Sequence, residues 1–254
     1  MKDSQVQDCI DYIKFTMELE GSQLDSHVEE TARGILEGSL SADEEVSRYI
    51  TDHGLGTNYE AGYDEMEKYP GTKCLVNYFN IRDKAELRQC EHFFVNIRTA
   101  QLFLMPMESE FTFSYLVFVH SHLFGDIYPS AGVLRTRDAS KRKDFCRPQY
   151  IERYSQELFS RLSRDNYLRN IEDDADFAND LAFYMGEAEA LHPFRDGNGR
   201  AVRFFFNRLV SRTGRKLHWA GCDADRMLEA SIAAIDGDYQ ALVNVLEDML
   251  VKRD

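Results

Sequence analysis

Apolar residues recur along most of this chain at the three- and four-residue spacing of an amphipathic helix. Val6, Cys9, Ile10, Ile13 and Met17 form one stripe, and Gly21 stands where a left-handed cap would end that helix. Ser26-His-Val-Glu29 reads as a capping box opening a second helix with Val28, Ala32, Ile35 and Leu36, closed by Gly38. Ser41-Ala-Asp-Glu44 opens a third, carrying Val46, Tyr49 and Ile50. Helices this short are marginal alone, so the segment is expected to pack against the rest of the chain.

Residues Thr51 to Gly71 hold four glycines and Pro70 and read as a connector. The helical period returns from about Asn77 to Leu104, and again from Phe113 to Leu123 before Gly125. Val133 to Phe145 alternates around the charged run Ser140-Lys-Arg-Lys-Asp144 and is the β-hairpin candidate. Pro148 opens a helix with Tyr150, Ile151, Leu158 and Leu162 on its apolar side. Ala175 to Leu191, rich in small residues, reads as a buried helix, and another starts at about Arg200. Met227 to Val251 reads as two helices broken near Asp236-Gly237. The pattern predicts a mostly α protein without repeats.

A chain of 254 residues, 43% hydrophobic and 12% aromatic, is long enough for one large domain with a small appendage. Its net charge of −14 argues against non-specific nucleic-acid binding, which depends on Lys and Arg meeting phosphates. It leaves room for a locally positive nucleotide pocket. The five cysteines form no Cys-x-x-Cys pair, which fits reduced thiols and gives no structural zinc site. The polar start MKDSQVQDCIDYIK does not read as a signal peptide, and no apolar run reaches the length of a membrane helix. A cytoplasmic protein with no membrane and no direct nucleic-acid partner is expected.

The densest chemistry lies in His192-Pro-Phe-Arg-Asp-Gly-Asn-Gly-Arg-Ala-Val-Arg203. A glycine-rich turn running into a helix presents backbone N–H groups and the positive end of the helix dipole, an anion site. Gly197 and Gly199 allow close approach of a phosphate. Arg200 and Arg203, in the first turn, oppose that dipole unless a polyphosphate sits there. Asp196 is itself an anion beside the anion site, which a Mg²⁺ bridging carboxylate and phosphate would resolve. His192 carries the side chain best tuned for proton abstraction near neutral pH. Val202, Phe205, Phe206 and Leu209 give the following helix one broad buried face, with Phe204 on the other side.

His-Pro-Phe-Arg-Asp-Gly-Asn-Gly-Arg-x-x-Arg resembles the signature of the Fic domain at every defining position. His120-Ser-His-Leu-Phe-Gly-Asp-Ile-Tyr-Pro-Ser-Ala-Gly-Val-Leu-Arg-Thr136 is similar to the region before the family's flap hairpin. Tyr69-Pro-Gly-Thr72 is similar to its entry segment. Ala230 to Ile235 with Gly237-Asp-Tyr239 is similar to its C-terminal helices, so the resemblance spans about residues 55–250. It implies an all-α Fic helical bundle with one β-hairpin flap, and transfer of AMP from ATP to a Tyr, Ser or Thr hydroxyl of a protein. By position, His192 would be the base, Phe194 the anchor of the loop and Asp196 the Mg²⁺ ligand. Gly197, Asn198 and Gly199 would cradle the phosphates and stabilise the transition state, Arg200 would grip the β- and γ-phosphates and Arg203 the γ-phosphate. The glycine after Asp196 and the Gly199-Arg200 pair set the chain apart from the Doc-like branch. Arg142, Lys143 and Asp144 stand where many relatives have glycines at the flap tip, and Ser130 where a Trp is common; both bear on the target rather than the chemistry.

Thr16-x-x-x-Glu20-Gly21 resembles the inhibitory motif of Fic regulation, and Thr16 to Ile50 resembles the small Fic antitoxins. The expected division is an inhibitory segment at 1–52 and a catalytic domain at 53–254. Glu20 would pair with Arg203 by the fork geometry of a guanidinium and a carboxylate. The relatives imply topoisomerase ATPase subunits, or the chain itself, as targets. Readings left open are another nucleotide donor, removal of AMP, and a nucleotide-binding module without turnover.

Overall fold

A computed structural model of the chain describes residues 1–56, 68–139 and 144–252. These residues are predominantly helical, with one small antiparallel pair of strands, so the expected all-α class holds. The chain divides into two compact units, Met1–Met105 with His120–Gly132, and Pro106–Val119 with Val133–Asp254. The helix Phe113–Phe124 (α5) contributes its start to the second and its end to the first.

In the first unit, α1 (Asp3–Leu19), α2 (Ser26–Glu37) and α3 (Ala42–Asp52) each pack on the long α4 (Lys84–Leu104). The predicted stripe of α1 is buried, and Tyr12, Phe15 and Thr16 are buried as well, so this helix is enclosed on more than one face. It ends as its glycine foretold. Gly21 takes φ +68°, its N–H bonds Glu18 O at 2.8 Å, and the Ser22 N–H bonds Met17 O at 3.0 Å, the paired bonds of a Schellman turn. The cap of α2 is Asp25 rather than Ser26, because the Asp25 carboxylate takes the His27 N–H at 2.8 Å. Ser41 caps α3 as expected.

The helix expected from Asn77 begins only at Lys84. Asn77, fully buried, accepts from the Phe79 and Ile81 N–H groups and donates to the Leu75 and Ile81 carbonyls. That side chain supplies the backbone with partners a helix would otherwise provide, and Asp83 then caps α4. Of the expected connector, Thr51 and Asp52 finish α3 and residues 57–67 lie outside the described residues. Lys68 and Leu75 form an isolated antiparallel bridge.

The second unit holds α6 (Ile151–Arg164), α7 (Asp174–Leu191), α8 (Asn198–Arg212), α9 (Ala224–Ile235) and α10 (Gln240–Met249). Phe205 of α8 is the aromatic hub, with Phe111, Tyr115, Phe159 and Phe206 at ring-centroid distances of 5.4, 5.6, 5.5 and 5.0 Å. Val202, Phe204, Phe205, Phe206 and Leu209 are all buried, so α8 is central, as the pattern required. Gly186 lets α7 approach its neighbours: a Cβ there would meet Tyr239 at 2.8 Å and Ala234 at 2.9 Å. Tyr150 is 54% exposed rather than on the apolar side of α6, because it lies in a 3₁₀ turn ahead of the helix; Ile151, Leu158 and Leu162 are buried.

Strands β1 (Arg215–Leu217) and β2 (Leu250–Lys252) pair antiparallel just beyond α8 and α10. Three residues are too few to display alternation, and their pairing depends on a partner distant in sequence. The described residues of the hairpin candidate form no strand, and the Phe145 N–H bonds Ala139 O at 3.3 Å; the tip, residues 140–143, lies outside the described residues. No described helix is long and apolar enough to cross a membrane.

Candidate active site

The residues singled out between His192 and Arg203 fall on the turn joining α7 to α8. α7 ends on His192 itself, in the left-handed region at φ 43°, ψ 60°. A residue with a Cβ there costs about 1–3 kcal/mol, so its surroundings must impose the conformation. Arg135 is the main restraint. It is buried, and its Nε donates to His192 O at 2.7 Å while its backbone N–H donates to Pro193 O at 2.9 Å. The same guanidinium donates to the carbonyls of Arg137, at 2.9 Å, and Cys146. One side chain therefore fastens both arms of the flap segment to the turn. The Cys146 N–H adds a bond to Ala190 O at 2.9 Å. Phe145 stacks flat on the imidazole, with centroids 3.6 Å apart and planes at 9°.

Phe194 is completely buried. Asn198, 2% exposed, accepts the Phe194 N–H at 2.9 Å and donates to Phe194 O at 2.9 Å. The Asn198 amide thus closes the turn on itself, and what this residue offers an anion is its backbone N–H. Gly197 is the N-cap of α8 at φ 76°, and its N–H bonds Asp196 Oδ1 at 2.8 Å. The first N–H groups of α8 have no acceptor within the helix and converge at its dipole-positive end.

Arg200 is buried and Arg203 half-buried. A helical side chain leans toward the N-terminus, and Arg203 accordingly lies over the turn that precedes it. A Cβ on Gly199 would meet Arg203 Nη1 at 2.8 Å and Glu189 Oε1 at 3.6 Å. A side chain at 199 would therefore push the end of that arginine aside. Asp196 is exposed. Among the described residues no group of three His, Cys, Asp or Glu side chains could hold a metal by itself. The single exposed carboxylate of Asp196 is the kind of donor Mg²⁺ accepts, since that ion commonly takes one or two protein carboxylates and completes its shell with substrate phosphates and water.

The turn brings together His192, Phe194, Asp196, Gly197, Asn198, Gly199, Arg200 and Arg203. The sequence reading missed Arg135 and Glu189. The signal for Arg135 was faint, since Thr136, Arg137 and Asp138 beside it make it one polar residue among several; Glu189 has none, since a carboxylate on a helix usually faces water. Thr16, Glu20 and Gly21 lie together at the end of α1, with Thr16 buried and Glu20 as the C-cap.

The profile of the Fic/DOC family matches residues 110–210. Over 181 residues the chain is 34% identical to the protein adenylyltransferase VbhT of Bartonella schoenbuchensis, covering 71% of this chain and spanning 37% of that protein. It is 33% identical over 183 residues to the probable protein adenylyltransferase y4lH of Sinorhizobium fredii, covering 72% of this chain and 94% of that one. Among solved structures, the BepC effector of Bartonella tribocorum with bound AMPPNP superposes with a TM-score of 0.67 at 25% identity, over 78% of this chain and 100% of that one. Sequence, fold and turn agree: the chain belongs to the Fic/DOC family.

Proposed function

We propose that this chain transfers AMP from ATP to a hydroxyl side chain of a target protein, and that its N-terminal segment holds the reaction off. The observation that carries the transfer is the α7–α8 turn: a restrained histidine, an anion-binding helix end and two arginines on one short loop. The relatives' names, protein adenylyltransferases, support the same chemistry, as does AMPPNP bound to BepC.

In this reading His192 takes the proton of the target hydroxyl as its oxygen attacks the α-phosphorus of ATP. A new phosphorus–oxygen ester bond forms, the bond between the α- and β-phosphates breaks, and pyrophosphate leaves. The N–H groups at the start of α8 stabilise charge building on the α-phosphate, aided by Gly197 and Gly199. Arg200 and Arg203 bind and orient the β- and γ-phosphates, and positioning of this kind supplies most of the catalysis in phosphoryl chemistry. Asp196 would hold Mg²⁺, which when bound neutralises phosphate charge. Phe194 and Asn198 keep the turn in shape.

The off switch is Glu20 pairing with Arg203, which denies the γ-phosphate its arginine and leaves ATP misaligned. Misplacement of about 1 Å can cost roughly a hundredfold in rate. What supports it is the Thr16-x-x-x-Glu20-Gly21 pattern at the capped end of α1. As a division of labour, residues 1–52 inhibit and 53–254 catalyse; this boundary is functional, since α1–α3 pack on α4. The proposed location is cytoplasmic and the proposed targets are topoisomerase ATPase subunits or the chain itself.

The test compares label transfer to protein from ATP labelled at the α- or γ-phosphate, in a bacterial lysate with Mg²⁺. The native chain, Glu20→Gly, and Glu20→Gly with His192→Ala are run together. Transfer of α-label but not γ-label, strong in Glu20→Gly and lost in the double variant, is expected. No α-label in any of the three would reject adenylylation.

A further inference from the structure

The end of α1 is held less firmly than its burial suggests. Met17 and Asn96 border a cavity of about 380 Å³ that also reaches Tyr49 and Phe93. The buried Asn96 amide donates to Met17 Sδ at 3.2 Å, and a thioether is a weak acceptor. One residue earlier, the buried Thr16 hydroxyl makes no hydrogen bond among the described residues. A last turn that borders an open pocket and meets a weak acceptor, with an unsatisfied hydroxyl beside it, is poorly secured by packing.

A surface arginine offsets this. Arg88, on the second turn of α4, donates through Nη2 to Glu20 O and to Ser22 Oγ, the latter at 2.8 Å. Its Nε reaches His92 Nε2 at 3.4 Å, which steadies the side chain from its own helix. The acceptors flank Gly21, whose left-handed turn aims both toward α4; a Cβ on Gly21 would come within 3.8 Å of Arg88 Nη2. A cation at a helix C-terminus also meets the negative end of the dipole. Arg88 is exposed, so another molecule can reach it without unfolding the core.

From this we infer that Arg88 is a latch: it positions Glu20 by gripping that residue's own carbonyl, and releasing it loosens the inhibitory end of α1. The inference rests on the autoinhibited reading above. It makes the Arg88 guanidinium the place where a relieving partner would act, by offering a carboxylate or phosphate that competes with the carbonyl and the hydroxyl.

The experiment measures α-label transfer from ATP by the full chain as native, Arg88→Ala, Arg88→Lys, Ser22→Ala, Glu20→Gly, and Glu20→Gly with Arg88→Ala. Arg88→Ala is expected to raise basal transfer by roughly three- to tenfold, as loss of exposed charge-assisted bonds implies. Arg88→Lys and Ser22→Ala, each able to keep one contact, should fall between it and the native chain. The double variant should equal Glu20→Gly, because the latch acts only through Glu20. A variant that merely destabilised the fold would lose transfer, so a gain is diagnostic. If Glu20→Gly is activated while Arg88→Ala and Ser22→Ala stay at the native level, the latch is overturned and autoinhibition stands. If Arg88→Ala adds to Glu20→Gly, the latch is overturned too. If Glu20→Gly matches the native chain, autoinhibition falls and takes the latch with it.

Discussion

Asn198 and Gly199 stand side by side at the start of α8, yet the structure asks different things of them. Asn198 joins both ends of its amide to Phe194 in the buried turn. Its replacement by Ala leaves a buried N–H and a buried carbonyl without partners, at a cost of about 2–4 kcal/mol. At roughly 2–4 °C per kcal/mol for a chain of this size, the melting temperature should fall by several degrees, and transfer should fall with it. Gly199→Ala is expected to behave otherwise. Its new methyl meets the mobile end of Arg203, so the arginine moves and the fold hardly notices. Melting should shift by little, while transfer drops on the order of a hundredfold, the usual result of displacing a positioning group. Calorimetry beside α-label transfer in a Glu20→Gly background separates the two. Equal losses of stability in both variants would refute the assigned roles.

At the scale of elements, what was legible depended on whether a local signal carried the structure. The stripe and glycine cap of α1, the cap of α3, the buried face of α8 and the break between α9 and α10 were all readable, because side-chain period and left-handed glycines are local. The α7–α8 turn was legible for the same reason. Asn77 was not, since its value lies in four backbone bonds that form only once the chain has turned. Arg135 was hidden because it joins segments 57 residues apart, and β1 with β2 because their ladder closes across the length of α9 and α10. His122, at the end of α5, adds a testable case. Burial, reinforced by Arg98, lowers its pKa below 6.5. A histidine with a depressed folded pKa is protonated more readily in the unfolded chain, so stability is intact above about pH 6.5 and is lost as pH falls below it. Replacing His122 with Asn should flatten the fall in melting temperature between about pH 6.5 and 5.5, relative to the native chain. Parallel curves for the two proteins would show that His122 titrates alike in the folded and unfolded chain.

For the whole molecule, regulation becomes a matter of linkage. A ligand that binds only the folded state stabilises it by RT ln(1 + [L]/Kd), about 2.7 kcal/mol at a hundredfold excess over Kd. The net charge of −14 disfavours any anion at long range, so in the proposed function nucleotide affinity would depend on the arginines and N–H groups of the α7–α8 turn. Arg203 is the one assigned to the γ-phosphate, and Glu20 the residue assigned to occupy it. MgATP should therefore raise the melting temperature of Glu20→Gly by several degrees more than that of the native chain. MgADP, which has no γ-phosphate, should shift both by the same amount. Arg203→Ala in the Glu20→Gly background should shrink the advantage of ATP over ADP to what Arg200 alone supplies, while leaving the ADP shift in place. This pattern assigns the blocked subsite without knowledge of the target protein. If native and Glu20→Gly respond identically to ATP, the carboxylate does not compete for the γ-phosphate, and any inhibition must act on the arrival of the target hydroxyl instead.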